Sequence, residues 1–506
     1  MSAGRPKAFL KQAKGKKKKE QCMLKILESA DDFLAAGVEF EEAAGKWRAG
    51  DAAKSMRFFS KAIDVYDQGL AKFPQSLDLA YNKARVLLEI ATHPILIGQL
   101  NVPLVEVLQQ ALNAHRYALS LDQDNTETLF NTAQVLTAIA EAYANDSDRA
   151  DHEALQPLEE ALELQDRCLN LQEIKLEESL LEQREAEALF EAENSEPLPA
   201  EANTQVSEDT NNSPRNGTED QWFAVVEPLT KDTLIDTIVA ELGTLTTLCS
   251  IISSSPGAAP PSILGWIEEF STKLLQTKLP PLLQDAEIER QQEVALAKAN
   301  FSSALLEAGY RSGAIDASTY KRERDEAFRA PELGIEKNFA ALLANTNSLI
   351  AFNAALAEGD ASGDASQASL RWNALSAAIA SMATASKIST SVPDDIAETH
   401  FLRGNCSLLQ HRLSQPPISF QPAVANAAQL LKNADVFYRN AAKLYQNDEQ
   451  KAVSQLRAAV PQALQMGQDI LSVSSANVQG RDRAWIVSQL EEMADEGLIS
   501  VPSNST

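Results

Sequence analysis

The sequence predicts an all-α protein made of stacked helix-turn-helix units. Apolar residues recur at spacings of three and four through most of the 506 residues, and runs of alternating Val, Ile or Thr of strand length are missing. A hydrophobic content of 44% with only 6% aromatic residues is typical of a large Ala/Leu-rich helical protein. Small side chains that lie seven residues apart, almost two helical turns, mark stripes where another helix packs closely: Ser55 and Ala62, Ala111 and Ala118, Ala161 and Cys168, Ala434 and Ala441.

The first helical region is predicted to span residues 22–193, after a basic tail at residues 1–21 that has too few apolar residues to fold alone. Periodic structure begins near Met23, and breaks in the pattern divide it into successive helices. The first predicted helix ends at Gly50-Asp51, the second covers Ala53–Phe73, and the third starts at Ser76 and stops before Thr92-His93-Pro94. A loop through Pro103 follows. The next three predicted helices are Val105–Leu121, Thr126–Tyr143 and a helix from about Pro157 to Phe190.

Residues 194–221 lose the apolar periodicity and are predicted to be a disordered acidic linker. Order is expected to resume at Trp222-Phe223, in a second helical region over residues 222–471 with breaks at Ser253–Pro261 and Gly359–Ser366. Residues 472–506 are predicted to hold a C-terminal helix and a flexible tail. That helix carries an apolar stripe that either caps the stack or contacts another subunit: Trp485, Ile486 and Leu490.

Several of these segments resemble the tetratricopeptide repeat, in which a Gly ends the first helix and small, aromatic and small residues follow along the second. Gly50-Asp51 followed by Ser55, Phe59 and Ala62 fits this pattern, as does Leu402-Arg403-Gly404-Asn405 followed by Ala434, Tyr438 and Ala441. The resemblance is clearest over residues 35–175 and 395–446. It implies a right-handed superhelix, made irregular here by long second helices and by loops such as Ile95–Pro103.

The same resemblance implies that a peptide or protein binds in the groove lined by the first helices. The groove residues it indicates are Tyr81, Asn82, Arg85, Phe130, Asn131 and Gln134. The alternative interpretation is that the aromatic rings belong to the core and the Asn side chains satisfy neighbouring backbone groups. The full set of Lys, Arg and Asn residues with which some members clamp a C-terminal carboxylate is not found at matching positions.

Catalytic, cofactor and metal sites are not predicted. The five histidines lie in separate segments without ligand spacing, the four cysteines form no CxxC pair, and no phosphate-binding Gly-rich motif follows a strand. His115 occupies the aromatic position of its repeat, where a packed histidine is expected. We therefore expect a non-enzymatic protein without a cofactor.

The charge is strongly uneven along the chain. Residues 1–25 carry nine Lys/Arg against one acid, a local charge of +8, whereas Glu153 to Asp209 hold seventeen acids against three Lys/Arg, in a chain of net charge −26. The acids either only solvate a long helix or form a client-binding surface for basic segments. The residues of that acidic surface are Glu159, Glu160, Glu163, Glu173, Glu177, Glu178 and Glu182, and the run that indicates a nuclear import signal is Lys16, Lys17, Lys18 and Lys19.

Together these features predict a nuclear and cytoplasmic protein-binding adaptor or assembly chaperone. Its partner would be a basic client, ribosomal-protein-like or histone-like, held by the groove and the acidic surface, in broad similarity to acidic nuclear assembly chaperones. The alternative is an RNA- or ribosome-associated factor in translation or ribosome biogenesis, which uses the basic tail as an electrostatic arm. No stretch of 18 apolar residues is present, so a membrane partner is not expected.

Overall fold

The computed structural model describes residues 27–146, 151–194 and 229–500, apart from residues 256, 258–259, 261, 360–364, 389–391 and 479. Helices dominate these residues, and no strand occurs among them. The predicted all-α fold with helix-turn-helix repeats is therefore confirmed. The basic tail at residues 1–21, the linker from residue 195 and Trp222-Phe223 lie outside the described residues.

The first helices follow the predicted boundaries closely. One difference occurs at Pro94, which was placed in a loop but begins a short helix, because proline fits the first helical turn and the His93 Nδ1 atom accepts from the Ile95 N–H at 3.3 Å. The observed helices are α1 Ala30–Trp47, α2 Ala52–Lys72, α3 Leu77–Thr92, α4 Pro94–Ile97, α5 Leu104–Leu121, α6 Thr126–Ala144 and α7 Leu155–Asn194.

Polar side chains cap the first three helices at the positions where breaks in the sequence pattern predicted that helices start. Ser29 and Asp32 form a capping box before α1. Asp51 caps α2 and Ser76 caps α3, each by accepting a backbone N–H from the first turn. Gly50-Asp51 and Pro74 therefore mark true helix boundaries.

The remaining helices respect the predicted breaks after residues 253 and 359. A π-helical segment, Lys273–Lys278, joins α9 to α10. The helices are α8 Lys231–Ser254, α9 Ile263–Thr272, α10 Leu279–Leu283, α11 Ile288–Arg311, α12 Ala317–Ala327, α13 Phe339–Gly359, α14 Ala365–Ala385, α15 Pro393–Arg412, α16 Gln421–Leu444, α17 Asp448–Met466, α18 Ile470–Asn477 and α19 Arg483–Asp495.

The helices form two compact units. Of the described residues, the first unit comprises those up to residue 142 and between 159 and 241, and the second comprises those between 143 and 158 and from residue 242 onward. In the first unit α1 packs on α2 and α3 on α5; in the second, α13 packs on α14, α15 on α16 and α16 on α17. Helical hairpins are thus the structural unit of both.

The small residues spaced seven apart lie at helix contacts, as predicted: all eight are 0% exposed. The close approach is direct in the first hairpin, where the Ser55 hydroxyl donates to the Ala44 carbonyl at 2.8 Å. In the last unit, Ile486 and Leu490 are each 2% exposed within the core that α15, α16 and α17 share. The C-terminal stripe therefore caps this core.

Two helices are long and apolar enough to cross a membrane, judged by length and composition alone: Lys231–Ser254 and Phe339–Glu358. Buried residues make up 61% and 50% of their most apolar windows. Core helices of a protein are buried to this extent, so packing within the protein accounts for the apolar composition of these two helices.

Candidate interaction surfaces

The predicted groove residues lie on α3 and α6, and the structure brings the two helices into contact through them. The Asn131 carboxamide donates to the Tyr81 hydroxyl at 3.1 Å. Asn131 is 6% exposed, whereas Tyr81 is half-buried, with the Glu127 carboxylate nearby. Burial, together with the Glu127 carboxylate, raises the pKa of Tyr81, so this hydroxyl stays protonated and holds the helices together.

Arg85 joins α3 to α1 by a second polar contact, because its guanidinium forms an ion pair with Glu41. Glu41 also accepts the hydroxyl of Tyr66, a fully buried side chain of α2. Burial by itself lowers the pKa of Arg85, but the adjacent Glu41 carboxylate raises it above the usual value. Glu41 thus links three helices, although no sequence pattern indicated it.

The other predicted groove residues contribute less to this network. The Asn82 amide donates to the Asp78 carbonyl at 2.8 Å, and its oxygen accepts from Arg85 at 3.2 Å. Phe130 and Gln134 are half-buried. Four of the six residues therefore take part in two separate groups of hydrogen bonds: Asn82 and Arg85 with Glu41 of α1, and Tyr81 with Asn131 of α6.

Replacing Arg85 by leucine should lower the free energy of unfolding by about 2 kcal/mol, because it leaves the Glu41 carboxylate, 11% exposed, without its cation. The Tyr66 hydroxyl remains as a partner and limits the loss. Lys83→Met is the matched control on the same helix: Lys83 pairs with the half-exposed Asp67 of α2, and its loss should cost less than about 1 kcal/mol. Urea unfolding measures both, and equal losses would contradict a structural role for Arg85.

The acidic residues of α7 lie mainly on the solvent side of the helix. Glu159, Glu163, Glu177, Glu178 and Glu182 are exposed. Glu160 instead forms a bidentate ion pair with Arg116, at 2.7 and 2.8 Å, and Glu173 also has a partner. Five of the seven predicted residues thus present carboxylates to solvent.

The same helix also exposes large apolar side chains. Ile174, Leu180 and Leu181 are 53%, 40% and 57% exposed, and they alternate with Glu177, Glu178 and Glu182 along the helix. Single exposed apolar residues are ordinary, but three within two turns beside carboxylates form a mixed surface. This combination suits an amphipathic segment that carries basic residues.

Other chemistry-bearing residues are dispersed and buried. No cluster of three or more His, Cys, Asp or Glu that suits a metal occurs in the described part of the chain. Burial raises the pKa of the Cys168, Cys249 and Cys406 thiols to about 12, so their thiolates are scarce at neutral pH. The predicted import signal, Lys16 to Lys19, lies outside the described residues.

No protein-family model matches this chain. Over 145 residues it is 33% identical to a UPF0656 protein of Schizosaccharomyces pombe, a match that covers 28% of this chain and 31% of that protein. Over 94 residues it is 36% identical to an uncharacterized protein of Saccharomyces cerevisiae, covering 18% and 16%. The matches thus span a third or less of the length of these curated relatives.

Among solved structures, a circular tandem repeat protein with a novel repeat topology aligns over 92% of this chain and 96% of its own length. The two are 12% identical in sequence, and the TM-score is 0.27. A likeness at that level carries no argument about function.

Proposed function

We propose that this protein is a non-enzymatic adaptor or assembly chaperone that binds a basic segment of a client protein. The client-binding surface consists of the exposed carboxylates of α7, Glu159, Glu163, Glu177, Glu178 and Glu182, with Ile174, Leu180 and Leu181 between them. The observation that carries the proposal is this mixture of exposed acids and large apolar side chains on one helix.

In this mechanism, electrostatic attraction speeds association with the client, and apolar contacts slow its dissociation. Carboxylates raise the rate of encounter with Lys/Arg-rich segments, although each exposed ion pair adds little affinity by itself. The exposed Ile174 and Leu181 side chains then bury area against apolar residues of the client. Histone-like and ribosomal-protein-like segments have this composition, and the tetratricopeptide-like groove of α3 and α6 is the second contact that we propose.

A nuclear and cytoplasmic distribution is part of this proposal. The Lys16–Lys19 run is the proposed import signal, so deletion of residues 1–21 should abolish nuclear accumulation without weakening client binding. If the same deletion removes ribosome or RNA co-sedimentation, the protein is instead a ribosome-associated factor with a basic arm.

Neutralising Glu177, Glu178 and Glu182 together by glutamine should weaken binding of a fluorescein-labelled oligolysine peptide about fivefold to tenfold at low salt. The control is the equally neutralised variant Glu268→Gln/Glu269→Gln/Glu289→Gln, whose three acids are exposed on other helices. This control should change binding less than about twofold. Fluorescence anisotropy at increasing salt measures both.

Equal losses in the two variants, or affinity that does not change with salt, would refute an acidic client-binding surface. Affinity purification of the full chain at low and high salt, with RNase as a control, then identifies the client. A basic protein that survives RNase and dissociates in salt supports the chaperone, and loss of partners on RNase treatment supports the ribosome-associated alternative.

A further inference from the structure

A cleft in the second unit runs between α14 and α16 above α15. Its volume is about 310 Å³, at the lower end of ligand-binding pockets. The second helices of two successive hairpins form its walls. Its lining combines one aromatic ring and aliphatic side chains with hydroxyl and carboxamide groups: Trp372, Ser376, Ile379, Gln410, Asn426, Gln429, Leu430 and Asn433.

The carboxamides of this cleft retain unused hydrogen-bonding capacity. Gln410, only 4% exposed, donates to Ser376 at 2.9 Å, and Gln429 donates to the Asn433 oxygen at 2.7 Å. Within the described residues, the Gln410 and Gln429 oxygens and the Asn433 amide N–H groups have no protein partner. Carboxamides offer donors and acceptors that match a peptide group, so these atoms suit the backbone of a bound peptide.

An arginine without a carboxylate partner lies two turns from the cleft residue Gln410, beyond the residues that line the cleft. Arg403 lies seven residues before Gln410 on α15, and hence on the same face, with its guanidinium 4.1 Å from the centre of the Phe437 ring. The Arg403 Nε atom is buried without a hydrogen-bond partner. No carboxylate of the described residues pairs with this side chain, although acids outnumber Lys and Arg by 71 to 45 in the chain.

Helix geometry places these groups at the spacing of an extended peptide. Asn426, Leu430, Asn433 and Phe437 follow one another at steps of three and four on one stripe of α16. Asn426 and Phe437 are therefore about 16 Å apart along the helix axis, the span of about five extended residues. Leu430 lies about 10 Å from Phe437, or about three such residues.

We propose that this cleft binds a short extended segment of a partner protein that carries one aspartate or glutamate. The carboxamides of Gln410, Asn426 and Asn433 pair with its backbone, Trp372, Ile379 and Leu430 hold one large apolar side chain, and Arg403 pairs with the carboxylate. A neutral cleft flanked by Arg403, which has no carboxylate partner among the described residues, discriminates against basic segments. The site is thus independent of the acidic surface on α7 and takes a ligand of opposite charge.

The test is selection of a random dodecapeptide library, displayed on phage, against the full chain. Enriched sequences should carry an acidic residue about three positions from a large apolar one. Arg403→Gln should weaken binding of a fluorescein-labelled enriched peptide about tenfold, with Arg403→Lys retaining more affinity, and Asn426→Ala/Asn433→Ala about fivefold. The matched controls are Arg439→Gln, whose partner is Asp435 on the same helix, and Gln450→Ala, which removes an exposed carboxamide of α17; each should change affinity less than about twofold.

Two results would overturn the proposal. One is equal enrichment on the parent and on the Asn426→Ala/Asn433→Ala variant, and the other is unchanged affinity in Arg403→Gln. Binding of neutral sugars or nucleosides at these residues without any enriched peptide would do the same. The variant in which Glu177, Glu178 and Glu182 are neutralised should still bind the selected peptide. A failure of the basic-client proposal can therefore be distinguished from a failure of the cleft proposal.

Discussion

Replacing Gly404 by alanine should lower the free energy of unfolding of the second unit by about 3 kcal/mol, although alanine is the better helix former. A Cβ atom at this position of α15 would lie 2.6 Å from one carbon of the Tyr438 ring and 2.8 Å from two others. Tyr438 is 0% exposed, and its hydroxyl donates to the Asn405 oxygen at 2.8 Å. The ring therefore cannot move aside without losing this buried hydrogen bond.

The control is Gly243→Ala in α8, because nothing lies within 4 Å of the Cβ that it adds. That substitution should stabilise the protein by up to about 1 kcal/mol. Urea unfolding followed by circular dichroism compares the two variants. In a Tyr438→Ala background Gly404→Ala should no longer destabilise, since the clash is gone. A Gly404→Ala protein as stable as Gly243→Ala would show that α15 and α16 are further apart than described.

The sequence pattern placed Gly404 and Tyr438 in one tetratricopeptide-like unit, although it did not predict that the two residues touch. The eight small residues at intervals of seven are buried because a regular helix brings positions i and i+7 to one stripe, whatever the rest of the fold does. Helix ends at Gly50-Asp51 and Pro74 likewise depend on local backbone chemistry alone. Local rules thus predict which residues pack.

Pairings between helices distant in sequence were not predictable in this way. Glu41 and Arg85 are separated by 44 residues, and their ion pair depends on the angle at which α1 and α3 cross. The cleft between α14 and α16 left no signal either, since Asn426, Gln429 and Asn433 read as the polar face of a surface helix. Tertiary packing decides which polar residues of a helix face a neighbouring helix.

The two proposed binding surfaces differ in the energy on which they depend. The acidic face of α7 attracts basic segments at long range and should lose most of its affinity in salt. The cleft in the second unit relies on hydrogen bonds and one partly desolvated ion pair, which salt screens less. A protein with both surfaces would bind partners of opposite charge, which is the behaviour expected of an adaptor.

Acidification should destabilise the protein through His115, whose side chain in α5 is 0% exposed. Its Nδ1–H donates to the Ala111 carbonyl at 2.9 Å, which leaves Nε2 buried without a partner among the described residues. Burial lowers the pKa of His115 to about 4, from 6.5. Because the pKa of His115 is lower in the folded protein, the unfolded chain binds the proton more readily. The contribution of His115 to the free energy of unfolding is therefore fully present above pH 6.5 and is lost as the pH falls to about 4, by about 3 kcal/mol in total.

Substitution by phenylalanine isolates this contribution from that of the many carboxylates. His115→Phe keeps an aromatic ring at the aromatic position of the repeat, so its stability should lie within about 1 kcal/mol of the parent near neutral pH. Between pH 6.5 and 4 the variant should become the more stable protein, because it has no buried base to protonate. His152→Gln is the control: His152 is exposed, and its removal should leave the slope unchanged. Parallel pH profiles for the parent and His115→Phe would mean that His115 is hydrated, and that the hairpin of α3 and α5 opens to admit water.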